Sequence, residues 1–395
     1  MDKIEEVLTR EVVEIIDRQH LEKKLRSGQK LRIKHGIDPT GPKIHIGRAS
    51  QLLKLKAFQE MGHQIVLILG TFTAKIGDAS DKDSVRPILS EKQVRENVKT
   101  YRQQIGKILD LKKTEIRENS EWFNKLEAYD LVRLTSKFTY AQIIERDLFQ
   151  KRMAEGKDLG LHEFLYPLLQ GYDSVEVKAD LEIGGTDQKF NMLTGRDVQR
   201  DYDQEPQDVM ILEMLLGTDG RKMSTSWGNI INITNNQNEI FGKVMSMKDE
   251  MITKYFELCT RVSLQSINSL EKKLSPMDLK KKLAFEIVKM YHSEKEAKEA
   301  QENFEKVFQR RELPGENSPT PSYEISAEEA ENFNPIRALV GSATVATASE
   351  AKRLINQGGV DIDGSRINDY TSPIVIKDNS IIKVGKRKFL KIKIK

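Results

Sequence analysis

Apolar and polar positions follow two rhythms through the first 215 residues of the chain. Short apolar runs have the length of strands, while the segments that begin at Ala49 and at Ser90 have the three-and-four spacing of helices. The strand-like runs are LRIK (31–34), QIVLILG (64–70), DLEIGG (180–185) and DVMILEM (208–214). This order predicts a mostly parallel sheet in an α/β domain over residues 1–232, with the active site at the carboxyl ends of the strands.

The second half of the chain follows a different pattern. Residues 233–311 lack strand-like runs and are rich in Lys, Glu, Ala and Leu, which predicts a helical domain. ELPGENSPTPSYE, with three Pro, predicts a linker over 312–331. The tail, 332–395, combines a helix pattern in SEAKRLINQ with short alternating strands, so we expect a small α+β domain there.

Composition narrows the class of protein. Hydrophobic residues make up 38% of the chain, and no apolar run approaches the roughly 18 residues of a membrane span. The charged N-terminus is unlike a signal peptide, so we expect a cytoplasmic protein with no membrane role. The single cysteine, Cys259, and six scattered His predict neither a disulfide nor a protein metal site. The net charge is +4 although the tail alone carries +7, which favours contact of the tail with nucleic acid.

Two segments have the features of a phosphate site. In GIDPTGPKIHIGRAS (36–50) a turn leads into a helix, whose N-terminus attracts anions, and His45 and Arg48 share one helical face. In TDGRKMSTSWG (218–228), Gly and Ser surround Lys222, which is typical of a mobile cationic loop. Taken alone, each segment is also compatible with an ordinary surface turn.

Three further segments place polar residues in apolar surroundings. In LGLHEFLYPLLQGYDSVEV three polar residues share one helical face. This face either lines a polar pocket or forms a solvated stripe. A strand ends with two Gly in DLEIGGTDQKFN, and these Gly let a ligand approach the backbone. Another strand is followed by TFTAKIGDASDKDSVRP, whose charged residues are either functional or merely solvated. The polar residues are Tyr166, Gln170 and Asp173, then Asp187 and Gln188, then Asp78, Lys82 and Arg86.

Together these segments resemble the bacterial type of tyrosyl-tRNA synthetase, a family of class I aminoacyl-tRNA synthetases. His-Ile-Gly and Lys-Met-Ser-Thr-Ser match the two class I signatures, and Tyr-Pro-x-x-Gln-x-x-Asp and Gly-Gly-Thr-Asp-Gln match the tyrosine branch. The resemblance implies a Rossmann-like catalytic domain with a connective insertion, a helical anticodon-binding domain and an RNA-binding tail similar to the S-four ribosomal fold. It also implies activation of L-tyrosine by ATP to tyrosyl-adenylate, followed by transfer to the 3'-terminal adenosine of tRNA(Tyr).

The resemblance implies roles for individual residues. Asp78, Tyr166 and Gln170 are implied to bind the ammonium group of the substrate. Asp173 is implied to accept a hydrogen bond from the substrate's phenol hydroxyl. The other residues implied in tyrosine binding are Lys34 and Gln188. Those implied in ATP binding are Gly36, Asp38, Thr40, His45, Gly47, Gly185, Asp187, Lys222, Met223 and Ser224. The residues implied in catalysis around the polyphosphate, where Mg²⁺ accompanies the ATP, are His45, Arg48, Lys82, Arg86, Lys222 and Thr225.

Three positions depart from the family pattern. Arg48 replaces the second His of the first signature and can still contact ribose or phosphate. Lys34 stands where many members place a Tyr against the substrate phenol, so it either points outward or brings charge near the phenol. Thr225 replaces the second Lys of the mobile loop.

The basic tail, residues 332–395, is expected to bind RNA. We expect Arg337, Lys352, Arg353 and Arg366 to contact RNA through phosphate and shape, because the basic surface has only one aromatic residue, Phe389. The resemblance implies a homodimer that binds tRNA(Tyr), and no DNA. Two alternatives stay open: the tryptophanyl relative, which lacks such a tail, and a non-catalytic RNA-binding protein derived from a synthetase.

Overall fold

Buried apolar runs form a central sheet in the computed structural model, which describes residues 2–78, 89–136, 138–223, 227–306, 321–371, 374–385 and 388–395. The strands of this sheet are β1 (Val12–Ile16), β2 (Arg32–Ile37), β3 (Gln64–Leu69), β4 (Thr114–Glu118), β5 (Leu181–Gly185) and β6 (Asp208–Leu212). Their order is β1, β6, β5, β2, β3, β4, and every neighbouring pair is parallel except the edge pair β1 and β6. The carboxyl ends of the parallel strands therefore meet at one edge of the sheet.

Helices cover the sheet and extend from it. They are α1 (Lys3–Thr9), α2 (Arg18–Arg26), α3 (Ile46–Glu60), α4 (Thr73–Ile76), α5 (Glu91–Val98), α6 (Tyr101–Ile105), α7 (Ser120–Phe123), α8 (Ala128–Thr135), α9 (Tyr140–Ile144), α10 (Asp147–Ala154), α11 (Leu161–Val177) and α12 (Lys189–Asp201). Helices α11 and α12 approach closely at two glycines, since a Cβ on Gly171 would lie 3.1 Å from the Cα of Gly195. Side chains of α7 and α11 pack with β3 in one apolar cluster that includes Val66, Trp122 and Leu169.

The remaining helices follow in the order α13 (Gln237–Ser246), α14 (Ile252–Cys259), α15 (Leu264–Lys273), α16 (Pro276–Tyr291), α17 (Glu294–Phe304), α18 (Ala327–Glu331), α19 (Pro335–Gly341) and α20 (Ala348–Asn356). Cys259 is buried at the end of α14. The chain divides into two compact units, Met1–Asn235 with Met247–Leu279 and Asn236–Ser246 with Lys280–Lys395. The domain bounds given above stay a prediction. None of the helices within the described ranges is long and apolar enough to cross a membrane.

The second unit has its own sheet and core. Its strands are β7 (Ser322–Ile325), β8 (Val360–Ile362), β9 (Ser365–Ile367), β10 (Ile381–Val384) and β11 (Lys388–Ile394), in the order β7, β11, β10, β8, β9. Strand β7 pairs with β11 in parallel, although the sequence analysis places Ser322–Ile325 in the linker. Leu339, Ile355 and Leu390 are fully buried in the core beneath this sheet.

The parallel sheet confirms the predicted fold class, and the four predicted strands are present with small changes at their ends. Helix α3 begins at Ile46, three residues earlier than predicted, so His45 caps it. The predicted long helix from Ser90 is wrong, because α5 and α6 are short and β4 follows them. Both β1 and β4 lie at sheet edges, and neither strand contains a fully buried residue. Three of the five residues of β4 are charged, which weakens its strand signal in the sequence.

Candidate active site

A cavity of about 230 Å³ lies at the carboxyl ends of β2, β3 and β5, where the sequence analysis expects the active site. The residues of the sequence analysis that line it are Gly36, Asp38, Thr40, His45, Gly47, Arg48, Asp78, Tyr166, Gln170, Asp173, Asp187, Gln188, Lys222 and Met223. Gly185 adjoins this wall, whereas Lys34 lies behind it. Lys82, Arg86, Ser224 and Thr225 lie outside the described residues.

One end of the cavity is built on helix α11. Tyr166, Gln170 and Asp173 face the cavity together, as their spacing predicts. Asp173 is buried and accepts hydrogen bonds from Trp122 Nε1 at 3.0 Å and from Asn119 Nδ2 at 3.4 Å. Burial raises the pKa of Asp173 to about 7, against the opposing charge of Lys34.

Asp78 lies at the same end and is held from two sides. Arg146 Nη2 donates to its Oδ1 at 2.8 Å, and Gln188 Nε2 donates to its Oδ2 at 2.7 Å. Arg146 is itself buried and its guanidinium stacks on the ring of Phe149. The carboxylate of Asp78 is therefore fixed in orientation by a buried ion pair.

Asp38 connects the two ends of the cavity. Tyr166 Oη donates to its Oδ2 at 2.9 Å, and Thr73 Oγ1 donates to its Oδ1 at 2.8 Å. Burial raises the pKa of Asp38 to about 6 and raises that of Tyr166 well above its usual value. Gly70 makes room for this carboxylate, because a Cβ there would lie 1.9 Å from Asp38 Oδ1.

The other end of the cavity is built on the start of helix α3. Burial lowers the pKa of His45 to about 4, and its Nδ1 has no hydrogen-bond partner among the described residues. Arg48 Nη1 donates to the main-chain O of Asp38 at 3.0 Å, and Arg48 Nη2 donates to Thr40 Oγ1 at 3.2 Å. His45 is thus neutral at pH 7, and of the two cations in this turn, Lys43 and Arg48, it is Arg48 that lines the cavity.

Glycines keep this second end open. A Cβ on Gly47 would lie 2.8 Å from Met223 Sδ and 3.2 Å from His45 Nδ1, so the turn and the loop meet there. A Cβ on Gly36 would meet nothing within 4 Å and would project into the cavity. On Gly185 a Cβ would lie 2.8 Å from Asp187 Oδ1. Gly36 therefore leaves space that a ligand can fill, whereas Gly47 and Gly185 let neighbouring side chains approach the backbone.

Several residues that shape the cavity are not among those expected from the sequence. Asn119 and Trp122 follow β4, so a correct prediction of that strand would have placed them at the same edge of the sheet. Glu182 interrupts the apolar run DLEIGG, and a buried carboxylate within a strand is a signal in itself. Arg146 carries no signal in the sequence, because its partner lies 68 residues away.

The predicted RNA contacts lie in the second unit. Arg337 pairs with Glu329 at 2.6 Å and Arg366 with Asp361 at 3.6 Å, both on exposed surface. Lys352 and Arg353 are exposed neighbours on α20. Lys352 Nζ lies 5.6 Å from the ring centroid of Tyr370, so Phe389 is not the only aromatic residue of this surface.

Residues 26–309 match the family model described as tRNA synthetases class I (W and Y). The chain belongs to this family. Within it, the chain belongs with the tyrosine–tRNA ligases: that of Thermotoga maritima is 46% identical over 98% of this chain and 96% of that protein. The tyrosine–tRNA ligase of Aquifex aeolicus is also 46% identical, over 96% of each chain.

A solved structure shows the same fold at low sequence identity. The C-terminally truncated mitochondrial tyrosyl-tRNA synthetase of Aspergillus nidulans has a TM-score of 0.65 at 20% identity. The match covers 78% of this chain and 94% of that chain.

Proposed function

We propose that the cavity is where this synthetase joins L-tyrosine to ATP, before the tyrosyl group passes to tRNA(Tyr). The observation that supports it best is the common cavity of the α11 face and the α3 N-terminus, which places an amino-acid site beside a nucleotide site. In-line attack of the tyrosine carboxylate on the α-phosphorus expels pyrophosphate. Positioning and charge stabilisation then supply most of the rate, as is usual for transfer at phosphorus.

The α11 end fits the amino acid. Asp173 accepts the phenol proton in a hydrogen bond, in a pocket whose other donors, Trp122 and Asn119, are neutral. Asp78 and Gln170 present oxygens to the ammonium, together with Tyr166 Oη. Gln188 donates to Asp78, and we place its side chain beside the carboxylate of the substrate tyrosine, which reacts with ATP.

The α3 end fits the nucleotide. The open space at Gly36 admits the adenosine and phosphates, and Asp187 accepts from the ribose hydroxyls. Arg48 and Lys222 supply positive charge, whereas neutral His45 contributes a hydrogen bond. The predicted roles of Lys82, Arg86, Ser224 and Thr225 are part of this proposal by family resemblance alone.

Magnesium enters with the nucleotide in this proposal. Within the described ranges no group of three or more metal-ligating side chains occurs. Mg²⁺ is usually bound through substrate phosphates and waters with few protein ligands, which is compatible with this cavity.

The second unit is proposed to bind tRNA(Tyr). Lys352, Arg353 and Arg366 lie exposed on α20 and β9, and cations of this kind bind phosphates without reading the base sequence. Tyr370, beneath Lys352, adds a ring on which a base can stack. The cytoplasm, where translation takes place, is the proposed compartment.

A homodimer is supported by apolar side chains between β4 and α11. Tyr140 Oη lies 4.0 Å from Met153 Sδ, and the ring of Tyr140 packs against that of Phe164 in α11. Leu161, the first residue of α11, is 83% exposed. Tyr129 and Val132 are exposed on α8 nearby in sequence. Exposed apolar groups of this kind mark protein interfaces, so Leu161→Asp with Tyr140→Ser is expected to give monomers in sedimentation analysis.

The decisive experiment is amino-acid-dependent ATP–pyrophosphate exchange on purified protein. We expect exchange with tyrosine but not with tryptophan or phenylalanine, and a loss of about 10²–10³ in Lys222→Ala, as for a single stabilising donor. Exchange with tryptophan would support the tryptophanyl alternative. Absence of exchange with every amino acid would support the non-catalytic RNA-binding alternative.

A further inference from the structure

A buried ion pair between Lys34 and Glu182 adjoins the α11 end of the cavity, and the proposed mechanism does not use it. Lys34, on β2, has no exposed side-chain surface, and its Nζ donates to the main-chain O of Gln170 and to Ser174 Oγ, both at 2.7 Å. Its third contact is Glu182 Oε1 at 2.9 Å. Two hydrogen bonds and one ion pair therefore surround the buried ammonium.

Glu182 completes the pair from β5. Its Oε1 also accepts from Gln170 Nε2 at 3.1 Å, while its Oε2 accepts from Ser174 Oγ at 3.4 Å and from Gln207 Nε2. A carboxylate has about four lone-pair sites, so Glu182 is saturated with donors. The pair thereby ties two positions of α11 to the strands β2 and β5.

The two tied positions flank Asp173. Gln170 precedes it by almost one turn of α11, and Ser174 follows it directly. The charged and titratable groups around Asp173 are Lys34 from β2, Glu182 from β5 and Tyr166 from its own helix. Burial raises the pKa of Asp173, and among the groups that lower it Lys34 acts most strongly.

We propose that Lys34 is a positioning residue that keeps Asp173 ionised and aimed at the substrate phenol, and so contributes to the selection of tyrosine over phenylalanine. The inference rests on the proposed function, because it takes Asp173 as the partner of the phenol. An ionised carboxylate accepts a phenol O–H with either oxygen, whereas a protonated one turns one oxygen into a donor. Lys34 acts through Asp173 and does not touch the substrate.

The test compares two variants with the wild type. Lys34→Met leaves the Glu182 charge buried without its cation and can unfold the protein, whereas the double variant Lys34→Met/Glu182→Gln leaves neither charge. The quantity measured is kcat/KM for tyrosine in ATP–pyrophosphate exchange between about pH 6 and pH 9, with phenylalanine in parallel. Circular dichroism and the KM for ATP report whether each variant is folded.

In the double variant we expect the acid limb of kcat/KM for tyrosine to move to higher pH, because Lys34 lowers the pKa of Asp173 more than Glu182 raises it. The expected movement is about one unit or less, since one neighbouring opposite charge changes a pKa by roughly 1–3 units and the loss of Glu182 offsets part of that change. The preference for tyrosine over phenylalanine falls most near neutral pH and recovers towards the alkaline end. KM changes more than kcat. The profile for phenylalanine, which has no phenol hydroxyl, keeps its shape.

Lys54→Met is the matched control. Lys54 is a second buried lysine of the first unit, and its Nζ donates to the main-chain O of Val7 and of Arg10, away from the cavity. We expect this variant to lose stability and to keep the wild-type pH profile.

An unchanged acid limb in the double variant, or the same change in Lys54→Met, would overturn the role of Lys34. Absence of tyrosine-dependent exchange in the wild type would instead overturn the proposed function, so the two failures are distinguishable.

Discussion

The two ends of the cavity are built on opposite principles. At the α11 end, buried side chains hold one another: Asp173 accepts from Trp122 and Asn119, and Asp78 pairs with Arg146. At the α3 end, Gly36 leaves open space, and Gly47 lets the loop of Met223 approach the start of the helix. The difference suits a rigid pocket that selects one amino-acid side chain beside an open groove that admits a large, flexible anion.

Replacing the acceptor for the phenol should have the largest effect. In Asp173→Ala we expect the tyrosine-over-phenylalanine ratio of kcat/KM to collapse. The ratio already known for a tyrosine enzyme of this family is about 10⁵, which sets the scale of the possible loss. Exchange with each amino acid, measured side by side, checks it. A ratio that survives would show that selectivity lies outside the α11 end.

Breaking the buried ion pair between Asp78 and Arg146 should have the second-largest effect. Arg146→Met leaves a buried carboxylate without its cation, which costs about 3–5 kcal/mol of stability and raises the KM for tyrosine. Arg95→Met is the control, because Arg95 pairs with Glu91 and Glu118 on the exposed surface and such pairs contribute at most about 1 kcal/mol. Equal losses in thermal unfolding would contradict a rigid α11 end.

The buried carboxyl group of Asp173 at the α11 end should make the folded protein less stable as the pH rises. The pKa of Asp173 is about 7 in the folded chain and 3.8 is its ordinary value, so the folded form binds the extra proton and stability falls as pH increases through that range. Asp173→Asn removes this loss and should be more stable than the wild type by on the order of 4 kcal/mol at pH 8, with no gain near pH 4. Chemical unfolding at both pH values tests the sign.

The smallest effect is expected at the open end. Gly47→Ala places a methyl group against Met223 Sδ, the flexible end of a side chain, so the protein folds while the loop is displaced. A misplacement of this kind should raise the KM for ATP by on the order of 10-fold and leave the KM for tyrosine unchanged. A larger effect on tyrosine than on ATP would remove the distinction between the two ends.

What the sequence predicts depends on how local the signal is. Tyr166, Gln170 and Asp173 are spaced so that any helix places them on one face, and the structure brings all three to the cavity. The side chain of Lys34 could not be placed, because its direction depends on Gln170, Ser174 and Glu182, which lie more than a hundred residues away. Strand β4 was missed for a related reason, since its pairing with β3 rather than its own apolar content makes it a strand.

The bond from Tyr166 to Asp38 has a further consequence for how the two substrates meet. Tyr166 belongs to the amino-acid end, and the main-chain O of Asp38 accepts from Arg48 at the nucleotide end, so a short relay of hydrogen bonds joins them. A ligand that reorients Asp38 from one side changes the affinity on the other. Thermodynamic reciprocity then requires tyrosine to alter the binding constant of ATP by the same factor by which ATP alters that of tyrosine.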